Sequence, residues 1–229
     1  MLNGFGEAMQ IEKTRSDLAH RTNAKIVYSP ADMSKPKAIE HMVRQTAETF
    51  GAVDIMVNNA GIQHVAPIEQ FPEEKWDAIL AINLSSAFHA TKSVLPLMRA
   101  RGWGRVINVA SAHALVASPY KAAYVAAKHG VHGLTKSAAA EGGPVGVTVN
   151  AICPGLIITD AVLQGGPGTA AAMRMTYDEM VEKVFKSKTL TGELNTVEQV
   201  AAVAVLLASE AGRGITGSFF NVDGGQAPY

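Results

Sequence analysis

Tyr124 and Lys128 stand four residues apart in "YVAAK", inside a stretch whose pattern predicts a helix. That spacing puts both side chains on one helical face. An ammonium beside a phenol favours the phenolate, which predicts a Tyr124 pKa lowered toward the range useful for general acid–base work. Ser111 lies thirteen positions before Tyr124, at the end of the apolar run "VINVAS". Its hydroxyl could position the oxygen of an alcohol or a carbonyl. Asn83, within "INLSSAFH", brings an amide able to hold a helix kink or a water. A Tyr-x-x-x-Lys pair alone is ordinary on helices, so the chemical reading rests on the whole set.

Those residues need elements to hold them. Short apolar runs alternate with helical patterns, which predicts a parallel sheet with crossover helices. Strands are predicted at 24–29, 53–59, 104–111, 145–155 and 215–225. A polar, weakly amphipathic helix is expected over 7–22. Another is expected over 34–51, with Ser34 as N-cap and Gly51 at the exit. Residues 71–102 read as a helix followed by a longer one. Residues 119–141 read as a long helix rich in small residues, suited to close approach of another backbone. Residues 196–209 read as a helix capped by Thr196. Ser111 then falls at the C-terminal end of a strand, the edge where parallel sheets bind ligands. Residues 160–195 fit the rhythm poorly and read as a substrate lid or an ordered surface excursion. No repeat or linker divides residues 1–229, so one domain is expected.

Composition excludes several classes. The chain has 229 residues, 48% apolar and 17% charged, with zero formal net charge. Lys and Arg are scattered, giving no footprint for nucleic acid. The single cysteine, Cys153, rules out an internal disulfide and fits a reducing compartment. No apolar run is long enough to span a membrane, and the first residues are not a secretory signal. The expectation is a soluble cytoplasmic protein.

Three stretches change the weight of the Tyr–Lys pair: "NNAG" at 58–61, "SAHALVASPYKAAYVAAK" at 111–128 and "NAICPG" at 150–155. With them the sequence resembles the short-chain dehydrogenase/reductase family over nearly its whole length. The resemblance implies an α/β fold, a Rossmann-like doubly wound parallel sheet. It implies Ser111, Tyr124 and Lys128 as catalytic residues, with Asn83 as a fourth supporting a proton-relay water. Tyr124 would be the base in alcohol oxidation and the acid in reduction. Lys128 would also hold the nicotinamide ribose. Phe5, Asp32, Asn59, Ala60, Gly61, Pro154, Gly155 and Thr159 would line the cofactor, expected to be NAD; no metal is implied.

Two longer stretches, 58–89 and 111–131, look like the bacterial D-3-hydroxybutyrate dehydrogenases. That likeness implies Gln63, His113 and Lys121 as contacts for a substrate carboxylate, with Gln164 as a further one. The expected substrate is a small anionic hydroxy or keto acid, and the expected assembly a homotetramer. There are departures. Leu156 stands where those enzymes have tryptophan, Ala114 where they have glycine, and the lid diverges. A short-chain reductase for another small hydroxy or keto substrate therefore stays open, and so does a truncated family member that is inactive or acts only as a structural subunit. The family begins with a strand and Thr-Gly-x-x-x-Gly-x-Gly, whose amides meet the pyrophosphate. "MLNGFG" matches instead the end of the second family strand, so an N-terminally incomplete sheet is expected, short by about 30 residues, a strand plus its crossover helix.

Overall fold

A computed structural model describes residues 1–157, 159, 170 and 174–227. Its strands lie in two parallel sheets. β1 (Leu2–Asn3) pairs with β2 (Tyr28–Ser29). β3 (Ile55–Asn58), β4 (Gly104–Val109), β5 (Val147–Pro154) and β6 (Phe219–Val222) form the main sheet in that order. Among the described residues no strand joins β1 or β2 to β3. Between β1 and β3 lies a cleft of about 580 Å³, walled by Leu2–Phe5 on one side and Ile55–Ile62 on the other. Ile55 and Val57 are 45% and 48% exposed because β3 pairs only with β4. Ile39 and Met42 of α2 (Pro36–Phe50) bridge the two sheets, packing with Met1 on one side and Met56 on the other.

Further α-helices among the described residues are α1 (Ala8–Thr22), α3 (Glu73–Leu80), α4 (Ser86–Arg101), α5 (Ala122–Gly142), α6 (Tyr177–Met180) and α7 (Val197–Ala208). α1 buries no residue, as its polar sequence foretold. α2 begins at Pro36 with Lys35 at the cap, not Ser34. Proline's fixed φ suits the first turn, and the Ser34 amide donates to Asp32 Oδ1 at 2.8 Å. Gly51 closes α2 with φ of 84°. Thr196 and Gln199 form a capping box on α7. α3 and α4 are joined by a π-helical turn, Ala81–Ser85.

Strand alternation sends neighbours to opposite faces of the sheet. Val106 of β4 joins Val43 of α2, Val94 and Met98 of α4, and Val147 and Val149 of β5. Ile107 and Ile152 pack with Leu207 of α7 on the other face. Each such fully buried aliphatic side chain contributes roughly 1.5–3 kcal/mol. Helices cover both faces, which is why β4 and β5 read as continuous apolar runs. Part of the small-residue surface of α5 is used inside the chain. Ala123 and Ala127 pack on Ile79, and a Cβ at Gly130 would meet Leu84 Cδ2 at 2.7 Å.

The N-terminal edge of the sheet is closed by two turns in contact. Gly146 has φ of +77°, and a Cβ there would meet the Gly102 carbonyl oxygen at 2.1 Å. Gly146→Ala is expected to destabilise the fold by roughly 2–4 kcal/mol, from left-handed strain plus overpacking. A urea midpoint and slope equal to wild type would show that the turns relax freely.

Candidate active site

α5 leans on the C-terminal end of β4. The contact is polar: Lys128 is 4% exposed, and its Nζ donates to the Val109 carbonyl at 2.7 Å. Burial brings the Lys128 pKa down to about 8. Tyr124 sits one turn earlier, with Lys128 Nζ 5.6 Å from its ring centroid. The Ser111 side chain stands near enough to the Tyr124 phenol to act on its pKa. Ser111, beyond β4, is buried. The structure thus brings Ser111, Tyr124 and Lys128 together as their spacing predicted.

The electrostatics differ from the expectation. Burial raises the Tyr124 pKa, and the Ser111 side chain only opposes this in part. The lowering expected from Lys128 is absent. Its ammonium faces the Val109 carbonyl rather than the phenol oxygen, and burial draws it toward neutrality.

Ser111 continues into a second arm. Its Oγ accepts from the His113 backbone N–H at 3.1 Å and lies 3.4 Å from His113 Nδ1. His113 Nε2 is 2.7 Å from Ser118 Oγ, and its ring meets Tyr124 edge-on at 5.9 Å. Burial, then the charges of Lys121, Lys188 and His129, hold the His113 pKa at about 4. The imidazole is neutral at pH 7, with one N–H to give and one lone pair to accept. Lys121, at the cap of α5, is half-buried; burial and then the Lys188 charge lower its pKa. Ser118 and Lys188 were not found in the sequence. A serine in a loop and a lysine seventy-seven positions beyond Ser111 carry no local signal.

Asn83 is buried in the π-helical turn and clamps one peptide from both sides. Its Oδ1 accepts from Ile62 N and its Nδ2 donates to Ile62 O, each at 2.8 Å. This fixes the loop after β3. Gln63, next on that loop, is exposed. A further pair escaped the sequence reading: Asn58 Nδ2 donates to Asn108 Oδ1 at 2.8 Å, and Asn108 Nδ2 to Thr135 Oγ1 at 2.9 Å. The two asparagines are register partners on β3 and β4, so this chain ties β3 through β4 to α5. Asparagines amid apolar strand residues were the available signal.

Phe5, Asn59, Ala60 and Gly61 all line the cleft between β1 and β3. Phe5 is 72% exposed at its lip. Asp32 does not line it; its carboxylate accepts from the Ser34 amide, which lowers its pKa, while neighbouring Met33 faces the cleft. Pro154 ends β5. A Cβ at Gly155 would meet Asp223 Cα at 2.8 Å, so only glycine lets the chain pass there. Thr159 is exposed just beyond. Gln164 and much of the 160–195 segment lie outside the described residues. Its two ends meet, because Ile157 forms a parallel bridge with Asn195. Burial raises the Cys153 thiol to about 11, so it is an inert core group. Among the described residues there is no group of three or more His, Cys, Asp or Glu placed to hold a metal, and no helix long and apolar enough to cross a membrane.

Residues 2–227 match the family model described as enoyl-(acyl carrier protein) reductase. The chain is 47% identical over 225 residues to a D-beta-hydroxybutyrate dehydrogenase of Rhizobium meliloti, covering 98% of this chain and 87% of that protein. It is 47% identical over 226 residues to the protein of that name from Cupriavidus necator, covering 98% and 86%. Among solved structures, sorbitol-6-phosphate 2-dehydrogenase from Erwinia amylovora superposes with a TM-score of 0.89 at 28% identity, covering 97% of this chain and 88% of that one. With the Ser111–Tyr124–Lys128 geometry in place on a parallel sheet, these matches place the chain in the short-chain dehydrogenase/reductase family of oxidoreductases.

Proposed function

We propose that the protein is an NAD-dependent dehydrogenase interconverting 3-hydroxybutyrate and acetoacetate. The observation that carries this is the clustering of Tyr124 and buried Ser111 between Lys128 on one side and His113, with Lys121 near it, on the other. One side serves a dinucleotide and the other a carboxylate.

The residues fit a dinucleotide. The exposed Phe5 ring offers a face for a purine, and Asn59–Gly61 offer main-chain groups along the cleft wall. The cleft is lined by no Lys or Arg among the described residues, so main-chain N–H groups are the donors for phosphate there. Lys128 would hold the ribose, and Pro154, Gly155 and Thr159 would flank the nicotinamide. The chemistry NAD would supply when bound is acceptance of the hydride that the carbinol carbon gives up. The chain's own groups handle the proton and the pose. Ser111 hydrogen-bonds the reacting oxygen. Tyr124, as phenolate, takes the hydroxyl proton in oxidation and returns it in reduction. Its raised pKa in the unliganded chain makes it a proton donor at neutral pH, suited to the reductive direction. Asn83 acts through Ile62, by fixing the loop that faces the cofactor.

Lys121 supplies the charge for the substrate carboxylate. Neutral His113, oriented by Ser118, supplies an N–H, and Gln63 and Gln164 are further amide donors. Residues 160–195 would form the lid; its anchored ends at Ile157 and Asn195 give it a fixed base. The assembly is proposed as a cytoplasmic homotetramer. Phe88 and Leu97 on α4, beside α5, and Val197, Val205 and Leu206 on α7 are exposed apolar residues suited to its contacts.

Tyr124→Phe is expected to cut 3-hydroxybutyrate oxidation by about 100-fold or more. The rise in Tm caused by NAD should persist. Unchanged turnover would remove Tyr124 as the base, and a wild-type Tm unmoved by NAD would remove the cofactor assignment. Lys121→Ala should raise KM for 3-hydroxybutyrate about tenfold or more, with a smaller effect on kcat, as for a lost charged contact. An unaltered KM would show that the carboxylate binds elsewhere. Light scattering should give the mass of about four chains, as for a closed assembly with three two-fold axes; a monomer or dimer would overturn the tetramer.

A further inference from the structure

A second cavity, of about 460 Å³, opens at the N-terminal edge of the main sheet, at the strand ends opposite Ser111. Trp103, Arg105, Glu210 and Arg213 are its chemically active lining. Arg105, near the start of β4, is 1% exposed. Its guanidinium carbon lies 4.3 Å from the Trp103 ring centroid, and Nη1 donates to the Gly104 carbonyl at 2.9 Å. Nε and Nη2 are buried with no hydrogen-bond partner among the described residues. Leaving charged donors buried and unsatisfied is costly.

Nε and Nη2 are the two nitrogens on one edge of the guanidinium. That edge grips a carboxylate or phosphate through two parallel bonds. Nη2 forms a loose ion pair with Glu210 Oε1 at 3.6 Å, beyond hydrogen-bond reach. That oxygen is already engaged, accepting from Trp103 Nε1 at 2.9 Å. The Glu210 side chain is 70% exposed, so it can turn into solvent at little cost. Arg213, exposed on the same wall, adds a second cation.

We propose that this cavity binds an oxyanion of the phosphate class in place of the Glu210 carboxylate. Nε and Nη2 of Arg105 grip two of its oxygens, and the Trp103 indole N–H supplies a third donor. With Glu210 turned out, two arginines face the ligand, which matches a dianion better than a monocarboxylate. Glu210 is the internal competitor that holds the site closed when phosphate is scarce.

The test is a titration of the full chain with inorganic phosphate, with ionic strength held constant by sodium chloride. It is read by tryptophan fluorescence and by Tm. Wild type should give a saturable response. Glu210→Gln, which removes the competing charge, should bind phosphate about tenfold more tightly. Trp103→Phe should bind more weakly by Tm, and Arg105→Met should not bind. Acetate should bind more weakly than phosphate; equal affinity would overturn the phosphate class. No saturable response in either wild type or Glu210→Gln overturns the site. Phosphate binding to Glu210→Gln no tighter than to wild type also overturns it, because binding would then be elsewhere on the chain. Should Arg105→Met fail to fold, the Glu210→Gln and Trp103→Phe pair decides alone.

Discussion

The Lys128 ammonium is buried between helix and sheet and bonded to the Val109 carbonyl. That contact, together with the Asn108–Thr135 hydrogen bond, holds α5 in place along β4. An unpaired ammonium at that depth would be strongly unfavourable, so the helix cannot slide by a turn without leaving the charge unpartnered. Tyr124 lies one turn before Lys128, and its distance from the strand end is fixed with it. The strand end in turn carries Ser111. The approach of Tyr124 to Ser111 therefore follows from where the buried cation finds its acceptor.

Burial then sets the protonation states. Lys128 is drawn down to about 8, Tyr124 is pushed up, and His113 is held at about 4. All three shifts have desolvation as their largest cause, and each favours the neutral form. Tyr124 and His113 are thus neutral at pH 7, while the lysines around them supply positive charge. Lys121 and Lys188 crowd cations near His113, an arrangement that an anionic substrate relieves.

Much of the architecture follows from local rules. The apolar runs of β4 and β5 need cover on both faces, and the helices predicted around them provide it. Thr196 with Gln199, and Gly51, ended or began their helices where the sequence placed them. Ser34 did not, because Pro36 two positions on is the better helix start and Asp32 takes the Ser34 amide. The two sheets face each other across the cleft between β1 and β3, and Ile39 and Met42 of α2 pack toward both. Pairing between strands far apart in sequence leaves no trace in either strand's own pattern.

The sequence by itself determined that Tyr124 and Lys128 share a helical face and that Ser111 ends a strand. Those statements depend only on periodicity and on chain direction in a parallel sheet. The tertiary structure alone decided which way the Tyr124 pKa moves, because desolvation depends on everything packed around the phenol. It alone gave Asn83 its partner in Ile62, and joined Asn58 to Asn108 and Thr135. It alone revealed that Arg105, one basic residue at the start of an apolar strand, is buried with one edge unsatisfied. Hydrogen-bond partners fifty residues away and degrees of burial are properties of the packed chain, and no spacing rule contains them.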